Sequence, residues 1–128
     1  MEYSDLVKMA IKARDNSYSP YSGYKVGAAL LCKDGTVVTG CNIENRAYGP
    51  TNCAERTAFF KAISEGNSSF SAIAVSGGND EPEICYPCGV CLQVMAEFCD
   101  PDKFQVICGK SPDEYEVFIL REMLPKMF

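Results

Sequence analysis

Two cysteine motifs constrain this chain more than anything else in it: Cys53-Ala54-Glu55 and Pro87-Cys88-Gly89-Val90-Cys91, each falling where a helix is predicted to begin. Thiolate is the zinc-binding form of cysteine, and a helix N-terminus favours negative charge through its dipole and free N–H groups. Two cysteines separated by two residues at a helix start can grip one metal, and a third from another helix start brings the protein ligands to three. Three ligands, rather than four, leave a coordination position for water, which distinguishes a catalytic zinc from a structural one. Any fold that uses all three sulfurs must bring the two helix starts together.

Composition narrows the chemistry. The 128 residues fit one domain spanning 1–128, and they contain no histidine. That excludes a Ser-His-Asp triad, a Cys-His pair and any His-ligated metal. The N-terminal residues Met1 to Asp5 have neither a basic nor an apolar signal-peptide region, so the expected location is cytoplasmic. In a reducing compartment eight cysteines suggest metal ligation or buried thiols rather than a disulfide framework. Twelve Lys and Arg against 17 Asp and Glu give a formal charge of -5 with no basic block. No nucleic acid or anionic membrane partner is therefore expected. The longest apolar runs, such as Val26 to Cys32, are far too short to span a bilayer.

Hydrophobic periodicity and turn signals predict an α-β-β-α-β-α-β-β-α order. Ser4 is expected to cap a first helix running to about Asn16, with Leu6, Ala10 and Ala13 on one stripe. Strands are expected at Lys25–Cys32 and Thr36–Cys41, joined through Asp34-Gly35, and again at Phe70–Ser76, Phe104–Cys108 and Tyr115–Phe118. Helices are expected from Cys53 to Glu65 and from Cys88 to Cys99, the latter with Val90, Val94, Met95 and Phe98 inward, and a short one near Leu120. The central β-α-β-α-β run calls for neighbouring parallel strands. The simplest packing is a mixed five-stranded sheet with helices on both faces, a three-layer α/β/α sandwich.

Glu55 is the candidate proton shuttle. Residues two apart in a helix point about 200° apart, so Cys53 must lie in the turn leading into the helix if it is to share a pocket with Glu55. Three thiolates on Zn2+ leave one net negative charge, and Arg56 is the candidate for offsetting it. Other readings exist for each motif taken alone. Asn52 and Glu55 fit a capping box. Cys85-x-x-Cys88 could be the metal pair, although Pro87 as a helix starter favours Cys88 and Cys91. An iron–sulfur run would continue with a cysteine where Met95 stands and then Pro where Ala96 stands, a pattern this chain lacks. Cys88-Gly89-Val90-Cys91 alone would suit a redox module, but that leaves Cys53-Ala54-Glu55 unexplained. Cys32, Cys41, Cys99 and Cys108 read as core packing.

Cys-Ala-Glu followed by Pro-Cys-x-x-Cys resembles the zinc-dependent nucleoside and nucleobase deaminases. Pro20-Tyr21-Ser22, Val26-Gly27-Ala28-Ala29, Gly40-Cys41-Asn42-Ile43-Glu44-Asn45, Cys53-Ala54-Glu55-Arg56-Thr57-Ala58 and Leu124-Pro125 extend the likeness to the small cytidine deaminases, almost end to end. The resemblance implies one zinc per subunit on Cys53, Cys88 and Cys91, proton transfer by Glu55, and ribose contacts from Asn42 and Glu44. It implies an aromatic wall at Tyr24, with Tyr48 and Phe128 reaching a neighbouring subunit's site in a homotetramer. The implied reaction is hydrolytic deamination of cytidine and 2′-deoxycytidine to uridine products, in pyrimidine salvage. A blasticidin-type aminopyrimidine nucleoside is the alternative substrate. There are departures: Tyr24 stands where phenylalanine is usual, Arg46 where a small residue is common, and Leu92 where many relatives have arginine beside the thiolates.

Overall fold

The computed structural model describes all residues, 1–128. In chain order the elements are α1 (Tyr3–Ala13), a 3-10 turn (Arg14–Asn16), β1 (Gly27–Cys32), β2 (Val37–Cys41), α2 (Ala54–Ser64), β3 (Phe70–Ser76), α3 (Gly89–Phe98), β4 (Gln105–Ser111), β5 (Glu114–Ile119) and α4 (Leu120–Met123). The five strands form one mixed sheet in the order β2-β1-β3-β4-β5. Only β3 and β4 are parallel; β1 runs antiparallel to both β2 and β3, and β5 antiparallel to β4. The expected run of neighbouring parallel strands is therefore half right. β2 and β3 do point the same way, but β1 lies between them, because the tight Asp34-Gly35 hairpin keeps β1 paired with β2. Gly35 supplies the positive φ of 91° that this turn needs.

Each strand sends alternate side chains to opposite faces. On one face Ala28, Leu30, Ile73, Val75, Val106 and Cys108 meet α2, α3 and α4. On the other, Ala29, Ala72, Ala74 and Ile107 meet Leu6, Val7 and Ala10 of α1. The second face is lined mostly by alanine, so α1 lies very close to the sheet. A Cβ at Gly27 would stand 2.0 Å from the Ala10 carbonyl oxygen. On the thicker face Phe59 packs edge-on against Phe70, with centroids 4.9 Å apart, and Phe104 lies 6.0 Å away.

Two local expectations need correction. Ser4 lies inside α1 rather than capping it; the helix begins one residue earlier, after Glu2, with no side-chain cap. The inner stripe of α3 is Cys91, Leu92 and Met95, while Val90 and Phe98 are exposed. Turning Cys91 inward to meet a second helix start brings Leu92 into the core with it and leaves Val90 and Phe98 outside, while Met95 and Val94 stay against the core as expected. No helix is long and apolar enough to cross a membrane.

Candidate active site

The site lies where β2 and β3 end. Both strands lead through irregular segments into the helices that bear the cysteines. Cys53 and Cys88 are the N-cap residues of α2 and α3, in extended conformation (ψ 156° and 165°), and neither helix has a side-chain cap. Cys53 thus lies in the lead-in turn, as sharing a pocket with Glu55 requires, and both thiols are free for other work. Asn52 does not cap either; its amide donates to Thr57 Oγ1 at 3.1 Å, so the capping-box reading fails. Cys53 and Cys88 Sγ atoms are 3.8 Å apart, and Cys88 and Cys91 are 3.6 Å apart. All three sulfurs lie within 4.8 Å of one another. Three convergent sulfurs without a disulfide suit a soft tetrahedral cation such as zinc, and Cys85 is outside the cluster.

Charge is arranged around the sulfurs. Arg56 Nη2 donates to Cys53 Sγ at 3.2 Å. The Cys91 thiol and Arg56 hydrogen-bond to Cys53 and hold its pKa down at about 5, while Cys91, donating to Cys53, keeps its proton. Burial decreases from Cys91, which is enclosed, through Cys53 to Cys88, which is exposed. The cluster therefore opens on the Cys88 side. Glu55, 4% exposed, lies against this cluster, and its burial pushes its carboxyl up to about 7.

A cavity of about 200 Å³ opens beside them, with Tyr24, Asn42, Cys53, Glu55, Cys85 and Cys88 among its walls. Asn42 is buried and heavily engaged. Its Oδ1 accepts from the Val26 N–H at 2.9 Å and from Ser17 Oγ, and its Nδ2 donates to the Tyr24 carbonyl at 2.8 Å. One amide N–H remains for a ligand.

The chain does not bring every expected residue to this cavity. Glu44 lies on a neighbouring surface with Tyr21 and Arg46. Its carboxylate accepts from the Tyr21 and Ser22 N–H groups at 3.0 and 3.1 Å and from Ser22 Oγ, holding its pKa below the usual range. Tyr48, 74% exposed, adopts a left-handed φ of 64° and meets Tyr21 edge-on. Phe128 projects fully into solvent, its backbone held by the Gln93 carboxamide at 3.2 Å through both N–H and C=O. Sequence reasoning missed Cys85, Tyr86 and Thr51 as cavity walls. Cys85 was visible as a third sulfur at CxxC spacing; nothing local marked Tyr86 or Thr51.

Known proteins share this fold and much of its sequence. Residues 1–108 match the family model described as the cytidine and deoxycytidylate deaminase zinc-binding region. A cytidine deaminase of Sporosarcina psychrophila is 56% identical over 128 residues, covering 100% of this chain and 92% of that protein. One from Halalkalibacterium halodurans is 50% identical, covering 100% and 95%. The crystal structure of cytidine deaminase from Burkholderia pseudomallei superposes with a TM-score of 0.91 at 42% identity, covering 100% of both chains. With three sulfurs, a buried glutamate and an arginine at the positions its motifs led us to expect, and with relatives matching from end to end, the chain belongs to the cytidine and deoxycytidylate deaminase zinc-binding family.

Proposed function

We propose that this protein, as one catalytic domain over residues 1–128, hydrolyses cytidine and 2′-deoxycytidine to uridine and 2′-deoxyuridine with release of ammonia. The observation that carries the proposal is Glu55, a buried carboxyl poised near neutrality beside three converging sulfurs at the edge of a cavity. Cys53, Cys88 and Cys91 would hold zinc, which when bound supplies a Lewis acid able to lower the pKa of a water toward about 7. Water adds to C4 of the pyrimidine; the Glu55 carboxylate takes one proton from it and delivers that proton to N3. The same carboxyl then transfers the second proton to the 4-amino group, which departs as ammonia. A carboxyl pKa near 7 suits both directions of transfer. Arg56 offsets the negative charge of the sulfurs, and the remaining Asn42 N–H would donate to a ribose hydroxyl.

The cavity of about 200 Å³ is smaller than the roughly 300–1000 Å³ typical of sites that enclose a whole ligand. A homotetramer would supply the rest of the wall. Tyr48 and Phe128, both exposed and both held by their backbones, are the side chains to complete a neighbour's site, while Glu44, on the adjoining surface, would reach the ribose of a bound nucleoside. Arg46 adds a cation to that same surface. A cytoplasmic role in pyrimidine salvage, with no nucleic-acid partner, fits the net charge of -5. Loss of the cytidine ultraviolet absorbance with purified protein, abolished by chelation and restored by zinc, tests the proposal. Glu55→Gln should keep its zinc and lose at least about 100-fold in kcat. Full activity in that variant, or a preference for a blasticidin-type nucleoside over cytidine, would overturn it.

A further inference from the structure

Arg14, in the 3-10 turn that follows α1, is charged and yet only 6% exposed. None of the chain's ion pairs involves it. Burying a guanidinium without a carboxylate is costly, so its hydrogen bonds must account for its place. They go to one distant segment. Arg14 Nη2 donates to the Gly78 carbonyl at 3.1 Å and to the Asp80 carbonyl at 3.2 Å. The backbone curls tightly beside it. Gly78 has a φ of 121°, and a Cβ there would stand 3.3 Å from Arg14 Nη2 and 2.1 Å from the Glu81 carbonyl oxygen.

The segment that Arg14 grips, Gly77 to Pro87, contains neither helix nor strand; it leads into the Cys88 motif and includes the cavity walls Cys85 and Tyr86. Gly77 and Glu83 exchange backbone hydrogen bonds of 3.0 and 2.9 Å, which closes the turn between them. The Gly78 carbonyl accepts from the Lys25 N–H at 3.0 Å as well as from Arg14, so one oxygen joins the turn to the residue after Tyr24. Gly77 itself lies between two cavity walls. A Cβ on it would stand 2.5 Å from Tyr24 Oη and 2.8 Å from Cys85 Sγ. From Ile84 to Pro87 the backbone makes no hydrogen bond within the chain. The placement of that stretch rests on side-chain contacts, on the turn before it and on α3 after it.

We propose that Arg14 is a positioning residue for the active site: through the Gly78 and Asp80 carbonyls its guanidinium fixes the 77–83 turn, and so sets the spacing of Tyr24 and Cys85 across the nucleoside cavity. It touches no reacting atom and acts only through the turn. The consequence for substrate rests on the deaminase reading above, whereas the anchoring of the turn does not.

Zinc-loaded Arg14→Met, Arg14→Lys and Gly109→Ala, beside the parent, provide the test, read by cytidine kinetics and by amide hydrogen exchange. Arg14→Met keeps an unbranched stem and has no donor. It should raise KM by about five- to tenfold with kcat within about twofold, the order expected when a charge-assisted hydrogen bond behind a cavity wall is lost. The amides of Lys25, Gly77 and Glu83, whose acceptors lie in the turn, should exchange about tenfold faster, and those of β3 should stay within about twofold of the parent. Arg14→Lys, with a donor on a shorter stem, should show smaller changes of the same kind, and it carries the test alone if Arg14→Met does not fold. Gly109→Ala crowds Val7 of α1 instead, 2.8 Å from the added methyl, and should leave KM and the three amides unchanged. Unchanged KM and exchange in the Arg14 variants, a loss confined to kcat, faster exchange throughout β3, or equal changes in Gly109→Ala would each overturn the proposal. A parent protein inert toward cytidine would instead overturn the functional reading, and the exchange data would still decide on Arg14.

Discussion

Adding one methyl group at Gly40 should disable the site without touching any residue that performs chemistry. Gly40 lies on β2 opposite Ala28, directly beneath α2. A Cβ there would stand 2.6 Å from the Ala54 carbonyl oxygen and 2.6 Å from the Ala58 nitrogen. Both are helix backbone atoms, so no rotamer change relieves the clash. Ordinary contact begins at 3.4 Å, which requires α2 to withdraw by about 0.8 Å. The end that moves carries Cys53 and Glu55. Overpacking of this kind costs about 1–3 kcal/mol, and a displacement near 1 Å at a reacting group can cost about 100-fold in rate. Gly40→Ala should therefore show a lower urea midpoint and a kcat reduced by about 10- to 100-fold, measured on zinc-loaded protein confirmed as folded by circular dichroism. Gly109→Ala is the matched comparison. Its methyl would enter the α1 face, 2.8 Å from Val7 Cγ1 and 3.0 Å from Tyr115 Cβ, on the side of the sheet away from α2 and α3. It should lose comparable stability and keep kcat within about twofold. If Gly40→Ala turns over like the parent, or if Gly109→Ala loses as much activity, the seating of α2 on β2 does not set the geometry of the site.

Arg56→Ala removes the 3.2 Å donor to Cys53 and should weaken zinc binding by about 10- to 100-fold in a chelator competition; unchanged affinity and turnover would dismiss its role in balancing charge. Phe59→Ala should cost about 3–5 kcal/mol in urea unfolding, because the ring is fully enclosed between Phe70 and Phe104. Burial pushes the Cys99 and Cys108 thiols up to about 12 from an ordinary value of 9.0. Between those values the unfolded chain has lost protons that the folded chain retains, so stability present below pH 9 should fall as pH rises toward 12. The urea midpoint should track this decline, and Cys108→Ala should flatten it; a midpoint that rises with alkalinity would contradict the assignment.

Much of this was legible in the chain itself. Apolar runs at Val26–Cys32 and Phe70–Ser76, the Asp34-Gly35 turn and the helix-starting Pro87 marked β1, β2, β3 and α3 to within two residues, whereas β4 runs three residues past the expected end at Cys108. The three sulfurs, Glu55 and Arg56 were legible because metal chemistry demands particular residue types at particular spacings. What escaped notice depended on partners remote in sequence. Periodicity made Val90 and Phe98 look like core, but the demand that Cys91 meet Cys53 overrides it. Pairing of β1 with both β2 and β3 is a long-range choice that no local pattern states. Cys85 and Tyr86 become cavity walls only because Gly77 and Glu83 pair and double the segment back.

The register of β1 gives the molecule one rigid rim and one forgiving rim. Gly27 aligns with Cys41 and with Ser76, so the strand ends that feed the sulfur-bearing turns are locked level with each other. The single irregularity on this strand, between Leu31 and Cys32, falls at the opposite rim, where the Asp34-Gly35 turn and the Gly66-Asn67 bend emerge. On this strand, slack is confined to the side where nothing reacts. Tags, spectroscopic labels or a new pair of termini belong at those two bends, and an insertion of equal length at the other rim would unseat the chemistry.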